Sequence, residues 1–273
     1  MKQTVLFWTI AFLITAASAI YQRRTGPTYP ISGKVEMHSK VIVYSLLRSY
    51  DCTATAPVHI KTGDPLIAGT LEWKRYKTDD AWTKVEMVSR NDSLLAELPN
   101  QPAAGKLQYK VTLRYAETSY VLPSDDGVVI RFKGDVPLFV LIPHIFAMFG
   151  AMLLSTRTGI EFFRKEKKNL RTLVFVTIGF LFVGGFILGP LVQKYAFDAY
   201  WTGWPFGYDL TDNKTAVALI AWLVVAYGLK KTANPQKWAL IAAIVTMVVY
   251  LIPHSVLGSE LDYKKVDKQV QQP

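Results

Sequence analysis

The spacing of long uncharged apolar runs limits what this chain can become more than any other feature. Four such runs follow one another in the second half, at about residues 137–156, 172–192, 215–229 and 238–257, and a fifth, Thr4–Ile20, lies near the start. A helix of about 20 apolar residues crosses the hydrocarbon core of a bilayer. No comparable run occurs between Tyr21 and Val136, although hydrophobic residues make up 51% of the chain. The expected fold class is an α+β membrane protein. It has an antiparallel β-sandwich over 21–136, a four-helix transmembrane bundle over 137–257 and a polar tail over 258–273.

The opening run admits two readings. Ala17-Ser18-Ala19 has the small-x-small form of a cleavage site, so residues 1–20 read as a signal peptide. About 17 residues is also the short end of a membrane span, so the same segment reads as a retained signal anchor. Either one sends the following residues to the outer side. The links between the later runs set the orientation. Arg157, Arg164, Lys165, Lys167, Lys168 and Arg171 lie between the second and third runs, and Lys230, Lys231 and Lys237 between the fourth and fifth. Only Lys194 and Lys214 lie between the third and fourth. Lysine and arginine are retained on the cytoplasmic side, which places the β module outside. Arg23, Arg24 and the tail lysines Lys264, Lys265 and Lys268 oppose this, but the compact 157–171 link outweighs them. The simplest setting is the cytoplasmic (inner) membrane of a bacterium, crossed several times, with the soluble domain in the periplasm.

The net charge of +10 does not indicate a nucleic-acid partner. Residues 21–136 hold 16 Lys/Arg against 13 Asp/Glu, a surplus of only 3, so no basic face sits on the soluble module. Cys52 is the only cysteine, which excludes an intrachain disulfide and a thiolate zinc cluster. It reads as a small buried side chain.

Within 34–133 the pattern has period two. Val41, Val43, Ser45 and Leu47 fall on one face of KVIVYSLLRSY, and Leu107, Tyr109, Val111, Leu113 and Tyr115 on one face of KLQYKVTLRY. TLEWKRYK and TKVEMVS are separated by a hairpin spacing at 78–82, and turn residues recur at Gly63-Asp64-Pro65, Asn91-Asp92 and Asp125-Asp126-Gly127. One buried and one solvated face is the mark of an antiparallel sandwich. The stretch LLAELPNQPAAGKLQYKVTLRY, with Pro99, Pro102, Gly105 and an inward Tyr109, resembles a late connector and strand of fibronectin type III-like and other immunoglobulin-like modules. LEWKRYK with Trp73 resembles their preceding Trp-bearing strand. The resemblance covers about residues 34–133 and implies a seven-strand sandwich that binds, spaces or braces. His38 and His59 read as surface or edge-strand histidines of this module, and no metal site is expected there.

The candidate site lies in the membrane half. His144 and His254 each follow Leu-Ile-Pro, and in the expected orientation both fall near the outer boundary. Two neutral imidazoles at one level can ligate a b-type haem or a metal ion, or line a polar pocket, or sit at the interface as ordinary amphipathic side chains. Pro143 and Pro253 are expected to free carbonyls near each histidine. The connector YWTGWPFGYDLTDNKT emerges at the same level and brings Asp209, Asp212, Asn213 and Lys214. Asp209 or Thr211 is expected to cap the next helix, with Asp212 in its first turn. Lys214 opposes the helix dipole there and is expected to pair structurally. Tyr200, Trp201, Trp204, Phe206 and Tyr208 read as an interfacial aromatic belt. Glu260 and Asp262 are possible further ligands or proton carriers. Gly185 and Gly189 permit close helix approach.

Three functions fit these residues. The first is a membrane protein whose outer sandwich binds a membrane or periplasmic protein partner and whose bundle docks in a larger complex in the lipid bilayer. The second is a small redox protein with haem or metal held by His144 and His254. The third is a membrane enzyme with a site under the sandwich.

Overall fold

The computed structural model describes residues 2–164, 169–253, 258 and 260–270. The chain forms two compact units. One combines 28–135 with the segment from Glu260 onward, and the other combines the N-terminal 27 residues with 136–259.

The first unit is built from strands. β1 (Ile31–Met37) and β2 (Lys40–Leu46) form an antiparallel hairpin. A second sheet has the order β3 (Ser49–Asp51), β11 (Val128–Lys133), β9 (Lys106–Tyr115), β5 (Ala68–Arg75), β6 (Thr83–Glu86), with β10 (Thr118–Leu122) also on β9. The third has the order β4 (Ala56–Lys61), β8 (Ser93–Leu98), β7 (Val88–Arg90). Pairing is antiparallel except between β3 and β11. One apolar core takes Ile42 and Leu46 of β2, Val58 and Ile60 of β4, Leu71 of β5, Leu94 of β8 and Val111 of β9. The alternation in β9 is realised: Leu107, Tyr109, Val111 and Leu113 are buried. The hairpin spacing at 78–82 is realised too, with Trp73 opposite Thr83. The run from Lys40 to Asp51 is divided. β2 pairs with β1, whereas β3 joins β11, because the carbonyls of Leu47 and Arg48 between them take the Tyr109 hydroxyl at 2.8 Å and the Arg131 amide at 3.0 Å. The face carrying Val41, Val43 and Ser45 is the exposed one. Cys52 is half-buried against the core.

The tail is more than a polar extension. Its helix α7 (Tyr263–Val270) follows Asp262, whose carboxylate accepts the Lys264 amide at 3.1 Å. Leu261 donates its amide to Ala104 at 3.1 Å. The Tyr263 ring is buried, and its hydroxyl accepts the Lys106 amide at 3.0 Å. Arg75 bonds Asp80 at 2.6 Å and Asp267 at 2.7 Å, and Glu260 pairs with Lys77 and Lys106.

The second unit is helical: α1 (Lys2–Thr25), α2 (Leu138–Ile160), α3 (Leu170–Phe182), α4 (Gly189–Phe197), α5 (Leu210–Gly228) and α6 (Pro235–Leu251). A 3₁₀ turn, Glu161–Phe163, extends α2, and a π turn, Val183–Leu188, joins α3 to α4. Among the described residues three continuous helices are long and apolar enough to cross a membrane, Lys2–Thr25, Leu138–Phe163 and Leu170–Phe197, and in these respects the chain is a membrane protein. α5 carries Asp212 and Lys214 in its first turns, and α6 has 17 residues. The helix bounds depart from the sequence expectation in two places. α1 runs unbroken through Ala17-Ser18-Ala19 and packs on α2 and α6. α6 stops at Leu251 because Ile252, before Pro253, takes extended backbone (φ −70°, ψ 118°). Pro253 thus ends a helix rather than kinking one, while Pro143 lies inside α2.

Burial in this unit is inverted relative to the β unit. Phe139 and Phe146 are 75% and 70% exposed, whereas Arg157 and Glu161 are 2% and 1% exposed. Arg157, counted above as a link charge, lies within α2 and forms an ion pair with Glu161 at 2.6 Å, and Arg164 adds a second cation at 3.5 Å. Lys165, at i, i+4 spacing from Glu161 in the sequence and so a candidate for pairing with it, lies outside the described residues. The interior is lined by small residues, Ala151, Ala218, Ala239 and Ala242, packed around Trp222. The Trp222 indole donates to Thr246 at 3.0 Å.

Candidate functional site

At one end of the helical unit, polar side chains from five helices surround a cavity of about 340 Å³. Gln22 comes from the end of α1, His144 from the first turns of α2, Gln193 from α4, Asp209 and Asp212 from the start of α5, and Tyr250 from the end of α6.

The π turn shapes one wall. Pro190 has no N–H for the Phe186 carbonyl, and the ladder widens so that the Gly189 amide reaches Gly184 instead. The glycines there permit close approach. A Cβ on Gly184 would stand 2.8 Å from Met148 Sδ of α2, and one on Gly185 would stand 2.5 Å from Thr215 of α5. The Gly184 carbonyl also faces His144 Nδ1 at 3.0 Å. A carbonyl only accepts, so Nδ1 carries the proton and the neutral ring keeps its lone pair on Nε2. Gln22 donates to the Tyr250 carbonyl, and the Tyr250 hydroxyl donates to Met148 at 2.8 Å.

The acidic residues do structural work as well as lining the cavity. Asp209 caps α5, accepting the Thr211 amide at 2.7 Å, as the sequence suggested. Asp212 Oδ2 accepts the amides of Thr202 at 2.7 Å and Gly203 at 3.0 Å, and Gln193 donates to it at 3.2 Å. Asn213 accepts the Trp204 amide at 2.7 Å. The polar run 209–213 therefore holds the aromatic connector against the start of α5. Trp204, Phe206 and Tyr208 remain exposed on it. Lys214 is buried and pairs with a backbone group, donating to the Ile252 carbonyl at 2.6 Å. A cation there suits the partly negative carboxyl end of α6.

Of the sequence candidates, His144, Asp209 and Asp212 share the cavity wall, while Asn213 and Lys214 are engaged beside it. His254 lies outside the described residues. Glu260 and Asp262 are engaged within the β unit, by Lys77 and Lys106 and by the α7 amides. Gln22, Gln193 and Tyr250 were not anticipated, although an amide bordering an apolar run is a signal of its own. Among the described residues no group of three His, Cys, Asp or Glu side chains is placed to hold a metal ion. On the β unit, His38 bonds Asp64 at 2.7 Å and Tyr115 at 2.8 Å, while His59 is exposed. The Leu66 amide and the His38 ring hold the Asp64 carboxyl below its usual range. No family model matches the chain, and no curated protein or solved structure was found to be similar to it.

Proposed function

We propose that the chain is a multi-pass membrane protein whose β unit lies outside the cytoplasmic membrane of a bacterium and binds a protein partner, while its helices anchor it in a larger membrane complex. The observation that carries this reading is the closure of the β unit by the tail. Residues on both sides of the helical stretch build one folded unit, so the helices between them cross an even number of times. α2, the α3–α4 helix, α5 and α6 supply four crossings, and the lysines at 230, 231 and 237 select the cytoplasmic side for the opposite links. α1 then serves as a retained anchor.

The strand order supports an immunoglobulin-like sandwich. Strands of the β6-β5-β9-β11 sheet and of the β4-β8-β7 sheet contribute to one core, β3 is parallel to β11, and the Tyr109 hydroxyl is tied to the chain before β3, as such a sandwich requires. Such modules commonly bind. The exposed valines of β2 are where a partner is expected on this unit, and Trp204, Phe206 and Tyr208 are where the helices are expected to dock. A photo-crosslinking residue at Val41 or Val43 should yield one discrete adduct in intact cells, and the same residue at exposed His59 should not. Equal labelling at all three positions would remove the binding reading. Impermeant labelling of cysteines placed at 230 and 206 tests the orientation separately.

One observation favours a second reading, ligation of b-type haem or a metal ion by His144 with His254. A ring whose Nδ1–H is fixed by a carbonyl presents Nε2 as a ligand. A Soret band in the purified protein, lost in His144→Ala, is its test; a colourless, metal-free protein excludes it.

A further inference from the structure

The β1–β2 hairpin leaves one margin of the β unit open. β1 pairs with β2 alone, and among the described residues its backbone makes no ladder bond to another strand. At seven residues it is longer than β6, with four, and than β3 and β7, with three each, at other sheet margins. It contains neither a proline nor a bulge, two usual guards of an exposed edge. The hairpin closes over His38 and Ser39, both at positive φ, with Met37 opposite Lys40. The closing pair of such a two-residue turn is hydrogen-bonded. Bonded and unbonded pairs alternate along an antiparallel ladder. Met37, Val35, Gly33 and Ile31 therefore bond β2, while Ser32, Lys34 and Glu36 turn their amides and carbonyls to the open margin.

The side chains select what fits there. Ser32, Lys34 and Glu36 are exposed on one face of β1. On the other face Ile31 and Val35 are only half-buried, although Leu46 and Ile42 opposite them on β2 are fully buried. Among the described residues neither Lys34 nor Glu36 is joined to a charged side chain of its own chain. A second copy of β1, antiparallel to the first, pairs outward residues only with outward residues. One central register sets Lys34 opposite Lys34 of the second copy, and another sets Glu36 opposite Glu36. The register between them sets Lys34 opposite Glu36 in both directions. Like charges directly opposite destabilise a strand pair, and opposite charges stabilise it. The middle register also brings Val35 against Val35 of the second copy on the core side, at an unbonded position where side chains lie closest. We infer that two copies of the chain associate by antiparallel pairing of β1 with β1, with Lys34 facing Glu36 twice and Val35 on the two-fold axis. The two charged pairs exchange about four backbone hydrogen bonds, and the self-complementary edge closes at two copies. This goes beyond the partner reading above and leaves Val41 and Val43 of each copy on the exposed face.

The test uses the full-length protein in detergent, with Cys52→Ser removing the native thiol. Single cysteines are placed at 34, 35 and 36 and oxidised mildly. Val35→Cys should give a disulfide-linked dimer, because an unbonded pair holds its Cα atoms about 4.5 Å apart, within disulfide reach. Lys34→Cys and Glu36→Cys, each displaced along the strand from its own copy, should link about tenfold more slowly or less. Without cysteines, Lys34→Glu or Glu36→Lys should weaken the dimer about tenfold in sedimentation, since each puts like charges opposite at both pairs. Lys34→Glu combined with Glu36→Lys should restore it, because opposite charges face each other again. All these side chains except Val35 are exposed, and restoration by a second change excludes misfolding as the cause of the loss. A wild-type chain that stays monomeric overturns the inference. So does faster linking at 34 or 36 than at 35, or a double exchange that restores nothing.

Discussion

The two units put charge and hydrocarbon in opposite places. In the β unit the aliphatic side chains of alternating positions fill the core, and ion pairs such as Arg75–Asp267 and Arg114–Glu86 stay partly in solvent. In the helical unit large apolar side chains such as Phe139, Ile142 and Phe146 point outward, and the charges Arg157, Glu161, Asp209, Asp212 and Lys214 are buried. Both patterns obey one rule with different solvents. In water the apolar groups are removed from solvent; in lipid the polar groups are. The inversion is the reason that the same residue types carry different weight in the two units, and it can be broken by experiment.

The largest effect is expected at Glu161. Arg157 has no other carboxylate within bonding distance among the described residues, and Phe7 and Trp8 cover its guanidinium. Glu161→Gln leaves a buried cation unpaired, which should cost about 3–5 kcal/mol and appear as loss of monodisperse protein in detergent. The double change Arg157→Met with Glu161→Met should recover most of that loss, because the desolvation of both ions disappears with their attraction. A single variant as stable as wild type would mean that water reaches the pair and that the inversion is superficial.

Asp212 comes next. Its Oδ2 takes two backbone amides and the Gln193 amide, beside a hydrogen bond at 3.0 Å from the Asp209 amide to the Thr202 carbonyl. Asp212→Ala should cost about 2–3 kcal/mol locally. Hydrogen exchange at Thr202 and Gly203 should accelerate about 30- to 100-fold, with the β unit unchanged. Asp212→Asn keeps an acceptor and should show a smaller change. Unaltered exchange in both would show that the connector is held by its aromatic rings instead.

Much of this was legible in the residues, and the gaps have physical causes. Alternation in Lys106–Tyr115 fixed the inward face of β9 because a sheet with one wet side records burial with period two. Asp209 was readable as a cap because capping is local chemistry. The polar cavity was only half readable. His144, Asp209 and Asp212 stand out in sequence, but Gln22, Gln193 and Tyr250 join them through packing of helices distant in the chain. The burial of Arg157 was hidden for the same reason: in sequence it looks like the start of a basic link, and only the adjacent Glu161 and the rings of α1 explain why it is inside. The tail did carry a signal. Asp262 followed by Tyr263 and Val266 is a cap and an apolar pair one turn apart, set in an otherwise charged segment.

The tail also provides the mildest perturbations, because its bonds lie near water. Tyr263→Phe removes the acceptor for the Lys106 amide and should weaken docking by about 1 kcal/mol. Asp267→Asn removes one partner of a half-exposed Arg75 and should cost less, about 0.5 kcal/mol, falling further in high salt.

The pH dependence of tail docking follows from the same groups, and its sign differs at the two ends. Bonding from Arg75 holds the Asp80 carboxyl below its usual range. Burial pushes Glu260 upward, but the bonds from Lys106 and Lys77 outweigh it and the net displacement is downward. Carboxyls lowered by folding stabilise the docked tail above their unfolded values of about 4, and that contribution is lost as pH falls through the lower folded values. Burial raises the Tyr263 phenol to about 12. A phenol raised by folding favours docking at every pH below about 10, and the advantage fades between about 10 and about 12. Exchange protection of the Leu261 amide should therefore form a plateau at neutral pH, after correction for intrinsic exchange, with a fall below pH 4 and another above pH 10. Tyr263→Phe should remove the upper fall and leave the lower one. The helical unit supplies the control, since buried Asp212 is not part of the tail's network and Asp212→Ala should leave both falls where they are. A plateau that moved with Asp212 would show that the two units share their electrostatics, and the contrast between them would no longer be one of separate solvents.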